Sequence, residues 1–288
     1  MGANRQYKDS VFSLLFSDPD TLRELYSALS GVSLDPAVPI TINTLENVLY
    51  MDRINDISFA VADKIVIVLE HQSTINPNMP LRILMYIAAI YEKFIVEKGS
   101  SAVYTRKLLR LPRPEFIVLY NGKAPLPEKM VLKLSDSFAG AGEAGRPADL
   151  ELAVTLYNIN RGYNEGLVRK CRVLEGYSIF VGKVREYEAA GLSLEEAVGE
   201  AVEWCIGNGI LQNFLRIHAT EVKNMLTAEW KFEDALVVER EEGREEGREK
   251  DVKLLKIYGM NPGQIAAALR LPLDKVLRYL EDDAAERA

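Results

Sequence analysis

Two short runs rich in β-branched residues, Asp56-Ile57-Ser58-Phe59-Ala60-Val61 and Ile65-Val66-Ile67-Val68-Leu69-Glu70, flank a polar break at Ala62-Asp63-Lys64. Such side chains are stiff in helices and pack well on a pleated surface, so the spacing predicts a β-hairpin. The second run is apolar at every position from Ile65 to Leu69. A strand of that kind needs cover on both faces and belongs near the centre of an α/β layer. The expected fold class is therefore α/β, with the sheet covered on both faces.

Other segments fit around this hairpin. Val11, Leu14, Leu15, Leu22, Leu25, Tyr26 and Leu29 recur at helical spacing over residues 7–30, interrupted by Asp18-Pro19 and closed by Gly31. Val48-Leu49-Tyr50 is a short strand candidate, and Pro77 and Pro80 mark a loop. A helix of about 18 residues is expected from Leu81, with Ile83, Ile87, Ile90, Tyr91 and Phe94 on one stripe. Phe116–Tyr120 and Ala153–Tyr157 are further strands, ended by Asn121-Gly122 and Asn158. From residue 165 onward the pattern is helical, with a capping-box start at Ser193-Leu194-Glu195-Glu196. Residues 239–250 repeat a Glu-Glu-Gly-Arg tetrad without apolar content and are expected to be a charged connector. It separates a domain over residues 1–238 from a small helical tail over 251–288, with helices at Val252–Tyr258, Pro262–Leu269 and Leu273–Leu280. The last two resemble a helix-turn-helix, but six Lys/Arg against five acids from residue 252 onward give no strong attraction to phosphate.

Composition excludes several chemistries. Two cysteines, Cys171 and Cys205, and two histidines, His71 and His218, are too few for a disulfide framework, a Cys-rich zinc site or a multi-His metal centre. No apolar run approaches the length of a bilayer span, and the start MGANRQYKDS has no signal-peptide segment, so a cytoplasmic protein is expected. The net charge of −7 argues against blanket affinity for nucleic acid. Residues 61–135 nevertheless hold eleven Lys/Arg and six acids. That excess fits either solvated helix faces or a phosphate-facing surface beside residue 70.

If the hairpin turn centres on Asp63, Asp56 and Glu70 oppose each other directly and project to one face, their Cβ atoms about 5 Å apart. Gln72, two residues on, shares that face. Two carboxylates so close repel unless a proton or cation sits between them, and Mg²⁺ takes such oxygen ligands while keeping water and phosphate in its shell. The same spacing also suits a hairpin whose polar end merely meets solvent, and a slip of one residue would separate the two acids.

Asp56-Ile57-Ser58 followed by Val68-Leu69-Glu70-His71-Gln72-Ser73 resembles the PD-(D/E)XK nuclease core in a Glu-X-Gln variant. Lys8-Asp9-Ser10-Val11-Phe12, Leu15-Phe16, Pro80-Leu81-Arg82 with Tyr86, and Leu119-Tyr120-Asn121-Gly122 narrow the resemblance to the Rpn (recombination-promoting nuclease), or YhgA-like transposase, family over roughly residues 7–125. The resemblance implies a restriction-endonuclease-like core with a helical C-terminal extension, and a Mg²⁺-dependent DNA endonuclease (Mn²⁺ substituting) that promotes recombination. Asp56 and Glu70 would be metal ligands, and Gln72 would orient the attacking water where many relatives place Lys. Asp9, Glu24 and Arg82 are accessory candidates. DNA is the implied partner; self-association is left open, and neither a membrane nor a small-molecule cofactor is implied. The alternatives are a catalytically weak or inactive DNA-binding or assembly protein with the same fold, and an RNA nuclease or defence effector.

Overall fold

In the computed structural model of the protein, residues 11–42, 56–71, 76–139 and 148–286 are described. They divide into two units at Thr227/Ala228.

The first unit opens with helices α1 (Val11–Leu15) and α2 (Pro19–Ser30). Asp18 caps α2, its Oδ1 accepting from the backbone N–H groups of Asp20 (2.9 Å) and Thr21 (3.1 Å), and Pro19 occupies the first turn. The interruption read from Asp18-Pro19 is thus a helix start. Strands β1 (Ile40–Ile42), β2 (Asp56–Val61) and β3 (Lys64–His71) follow, then helix α3 (Met79–Lys98), strands β4 (Arg113–Tyr120), β5 (Lys129–Lys133) and β6 (Ala153–Asn158). Pro80 falls in the first turn of α3, where its missing N–H costs nothing, so the helix begins earlier than Leu81. The strands form one six-stranded sheet in the order β1-β2-β3-β4-β6-β5. The β3–β4 and β4–β6 pairs are parallel and the others antiparallel. The mixed sheet flanked by helices bears out the expected fold class. The strand candidate at Val48-Leu49-Tyr50 lies outside the described residues.

Strand β3 is buried on both faces, as its continuous apolar run requires. Ile65 and Ile67 pack with Met79, Ile83, Tyr86, Ile87 and Ile90 of α3 and with Val118, Tyr120, Val154 and Leu156 of the neighbouring strands. Val66 and Val68, equally buried, point the other way, where Phe59 meets Tyr26 of α2 edge-on at 6.2 Å. That second layer is completed by helices α4 (Glu165–Val168), α5 (Arg172–Ala189) and α6 (Leu194–Gly207). Phe12 of α1 stacks edge-on against Tyr177 of α5. Ser193 and Glu196 form the expected capping box at the start of α6. Cys171 and Cys205 are fully buried and unpaired, and burial pushes their thiols up to about 12 and about 11.

The hairpin register departs from the expected one. The reversal uses two residues, Ala62 and Asp63, so Val61 pairs with Lys64 and Asp56 pairs with Leu69, not with Glu70. Ala62 makes this tight turn possible by adopting a left-handed φ of 50°. A turn centred on Asp63 would need one more loop residue. At the far side of the turn, Lys64 Nζ contacts Glu115 Oε1 of β4 at 2.7 Å and donates to the Tyr26 hydroxyl at 2.7 Å, which donates in turn to Glu115 Oε2. This triangle ties α2 to two central strands.

Helix α7 (Gln212–Ile257) begins in the first unit, with a non-helical residue at His218. The charged segment 239–250, read as a connector, is helical within it. The second unit contains the end of α7 with helices α8 (Pro262–Leu269) and α9 (Leu273–Glu286). Among the described residues its buried core is Val252, Ile265, Val276 and Tyr279. Asn261 and Gln264 cap α8 reciprocally, and Arg270 ends it in a left-handed conformation. No described helix is long and apolar enough to cross a membrane.

Two outcomes follow. A left-handed alanine is strained by about 1 kcal/mol, and a β-branched residue more so. Ala62→Val is therefore expected to lower stability by about 1–2 kcal/mol in urea unfolding, whereas Ala62→Asn leaves it unchanged or higher. Glu115 first, then Tyr26, hold the Lys64 ammonium above its ordinary range, and burial raises the Tyr26 phenol. Both shifts favour the protonated form in the folded state. Their contribution is complete at neutral pH and is lost as pH rises through the folded Lys64 value, above 10.5. Melting temperature against pH is expected to fall in that alkaline window, less steeply in Glu115→Gln.

Candidate functional site

Strands β3, β4 and β6 run parallel, so their carboxyl ends share one edge of the sheet. The antiparallel partner β2 starts at that edge. Ligands of open α/β sheets bind outside the carboxyl ends of strands, because the chain there turns into loops that can carry polar groups without breaking the ladder. Glu70 is the penultimate residue of β3 and lies beside Leu119, while His71 lies beside Tyr120. Asp56, first residue of β2, is opposite Leu69, so by backbone register it and Glu70 are one step apart and at alternate positions of the pleat. The directly opposed carboxylate pair derived from a turn at Asp63 is not what this register provides. Gln72 and Asp9 lie outside the described residues. Among the described residues, no group of three or more His, Cys, Asp or Glu side chains is placed to hold a metal ion.

The accessory candidates have separate places. Glu24 Oε1 accepts from the backbone N–H of Arg172 at 2.6 Å. Cys171, at the N-cap of α5, makes no side-chain cap bond, so Glu24 does that work from α2. Arg82, in the first turn of α3, is half-buried and makes no ion pair among the described residues. Tyr86 is a core residue of the α3 layer.

The same edge carries a network that motif reading missed. Arg185 of α5 donates to the backbone carbonyl of Asn121 and, at 2.7 Å, to Asn160 Oδ1; a longer contact reaches Asn121 Oδ1 at 3.5 Å. Asn160 Nδ2 donates to Gly122 O (3.0 Å) and Asn158 Oδ1 (2.9 Å), and Asn158 Nδ2 donates to Leu126 O (3.0 Å). Asn164 Nδ2 donates to Asn158 O at 2.9 Å. The loops after β4 and β6 are thereby locked to each other and to α5. Asn121 and Asn158 are each 1% exposed. Asn121 Nδ2 is buried without a hydrogen-bond partner among the described residues, an unfilled donor at the carboxyl edge. Lys123, two residues on, extends toward solvent with its Nζ 3.6 Å from Glu188 Oε2. In the sequence Asn121 and Asn158 read only as strand stops; these two, each directly after an apolar run, with Asn160 and Asn164 close behind the second, were the available signal.

Comparisons with models of known protein families, with curated proteins and with solved structures return no match.

Replacing Arg185 leaves acceptors on both loops unfilled, one on buried Asn121 and one on half-buried Asn160, which costs about 1–3 kcal/mol for each buried group left unsatisfied. Arg185→Met is expected to lower the urea midpoint accordingly. Arg185→Lys, which keeps the charge but not the two-pronged guanidinium, is expected to recover less than half of the loss.

Proposed function

We propose that the chain is a divalent-metal-dependent endonuclease on a PD-(D/E)XK-like core, hydrolysing DNA phosphodiesters in support of recombination. One observation carries this reading: the hairpin opens at the edge where β4 and β6 end, which brings Asp56 and Glu70 to within one ladder step of each other beside the Asn121 loop. The order helix, hairpin, helix, parallel strand supports it, as does the sequence Glu70-His71-Gln72-Ser73 itself.

The donor types suit a hard cation. Two carboxylates are what Mg²⁺ or Mn²⁺ takes from a protein while retaining water and phosphate ligands. Asp56 and Glu70 would hold the ion, which when bound polarises the scissile phosphate and lowers the pKa of a water. Because the two acids occupy alternate positions, sharing one ion requires a one-residue bulge at the open end of the hairpin. Gln72 would orient the water through a neutral amide, bringing no positive charge to the transition state. Asn121 Nδ2 is suited to donate to a phosphate oxygen, and Lys123 to add charge at the rim.

The offset itself favours a second reading, a DNA-binding or assembly protein that keeps the architecture and does not cleave. Nicking of supercoiled plasmid in Mg²⁺ separates the two. The nuclease reading expects cleavage that Asp56→Ala and Glu70→Ala each reduce at least a hundredfold, with DNA retention unchanged. Retention with no cleavage by the unaltered chain establishes the second reading, and cleavage that survives both substitutions removes these acids from the chemistry. A labelled RNA in the same assay decides between DNA and RNA.

A further inference from the structure

The densest part of the basic stretch does not lie beside residue 70. That part, residues 98–113, holds Lys98, Arg106, Lys107, Arg110 and Arg113 with no Asp or Glu. This segment joins the end of α3 to the start of β4, the amino edge of the parallel strands. Arg113 is in register with Lys64 and Glu70 with Leu119, so roughly 20 Å of strand separate the segment from the candidate site.

The backbone here is held in place. A 3-10 turn over Ser100–Tyr104 follows Gly99, whose φ of 95° redirects the chain. Thr105 Oγ1 donates to Ala102 O at 2.9 Å and to Lys107 O at 3.2 Å, and the Tyr91 hydroxyl donates to Pro112 O at 2.7 Å. On this scaffold Tyr104 is 88% exposed and Leu108 is 78% exposed, with Val103 and Leu111 beside them in sequence and also exposed. All five cations are exposed. Among the described residues none of them makes an ion pair; Lys98 lies over the Phe94 ring at 5.5 Å. By contrast Lys64 is engaged with Glu115, Lys123 with Glu188 and Lys129 with the Tyr157 ring. In a chain of net charge −7, five exposed cations without an ion pair among the described residues, on one segment with an exposed aromatic ring, form a surface complementary to an anionic partner with exposed flat faces.

We propose that residues 98–113 form a docking surface for single-stranded nucleic acid, the cations tracking phosphates and Tyr104 stacking on a base. A single strand presents both a row of phosphates and unstacked base faces; a duplex hides its faces and gives Tyr104 nothing to stack on. The choice of nucleic acid over an anionic lipid surface rests on the nuclease reading. The surface lies far enough from Glu70 to act on a different stretch of the same strand.

The test is fluorescence anisotropy of the full chain with a labelled oligo-dT of about 20 nucleotides, in EDTA so that no cleavage occurs, across a salt series. Arg106→Gln/Lys107→Gln/Arg110→Gln alters only exposed side chains. It is expected to weaken binding at least tenfold at low salt and to reduce the slope of log K against log salt by about 2, the release expected for three phosphate contacts on a single strand. Tyr104→Ala is expected to weaken binding about fivefold or more with the slope unchanged. Lys129→Gln/Lys133→Gln, exposed on β5, serves as the control and is expected to bind as the unaltered chain does. Oligonucleotide binding and slope unchanged in the triple variant overturn the proposal. So does capture by phosphatidylserine vesicles, but not oligo-dT, that the triple substitution abolishes. If the unaltered chain never nicks plasmid yet loses oligo-dT binding on triple substitution, the surface stands and the nuclease reading fails. If it nicks plasmid and the triple variant binds normally, the reverse holds.

Discussion

The two-sided burial of β3 governs the first unit. Ile65, Val66, Ile67 and Val68 are each at most 4% exposed, so neither face of that strand tolerates water. Burying a side chain of this size contributes about 1.5–3 kcal/mol relative to exposure, and a strand contributing on both faces demands two layers of cover. The α3 helix supplies one and helices α1, α2 and α5 the other. A helical crossover from the end of β3 returns the chain for another strand in the same direction, so β4 pairs in parallel. Parallel pairing then gathers the ends of β3, β4 and β6 at one edge. The candidate site is placed by the cover its central strand requires.

That constraint was legible in the sequence, and the elements closest to it were read best. The apolar run 65–69, the α3 stripe and the strands at 116–120 and 153–157 all carry dense, periodic burial signals. Strands β1 and β5 were missed: Ile40–Ile42 is only three residues long, and Lys129–Lys133 alternates charged ends with half-buried positions at the rim of the sheet. Short edge strands gain little from burial and so leave little trace in composition. The register failed for a different reason. A tight reversal is usually announced by glycine or asparagine, and here a single alanine takes the left-handed conformation. One torsion angle therefore decides whether two acids in a six- and an eight-residue strand are opposed or offset. The asparagine–arginine network was illegible because Arg185 meets Asn121 across 64 residues of chain, and no local pattern encodes that meeting.

The second unit joins a compact apolar cluster to well-specified helix ends. Among the described residues, four buried side chains and the half-buried apolar ones around them stand beside the Asn261–Gln264 capping box and a network in which Glu245 accepts from Lys275 (2.9 Å) and from the Tyr279 hydroxyl. Lys275 and Tyr279 hold the Glu245 carboxyl below its usual range, which keeps it charged and ties α7 to α9. The exposed positions near the start of α9 are Leu273, Asp274, Leu277 and Arg278. A helix entering a major groove relies on cations and amides at such positions. Arg278 is the one cation among these four described positions, in keeping with the balanced charge of this segment.

Both thiols of the chain are sealed inside the first unit, and burial holds them protonated far above neutrality. Since only thiolate reacts with alkylating reagents, a cysteine of this kind modifies when its surroundings come apart and scarcely otherwise. Cys171 opens α5 where Glu24 of α2 holds that helix start, and Cys205 lies on α6. The chain thus carries two internal seals whose breakage leaves a permanent covalent mark. The order in which they are marked would record which helix leaves the sheet first.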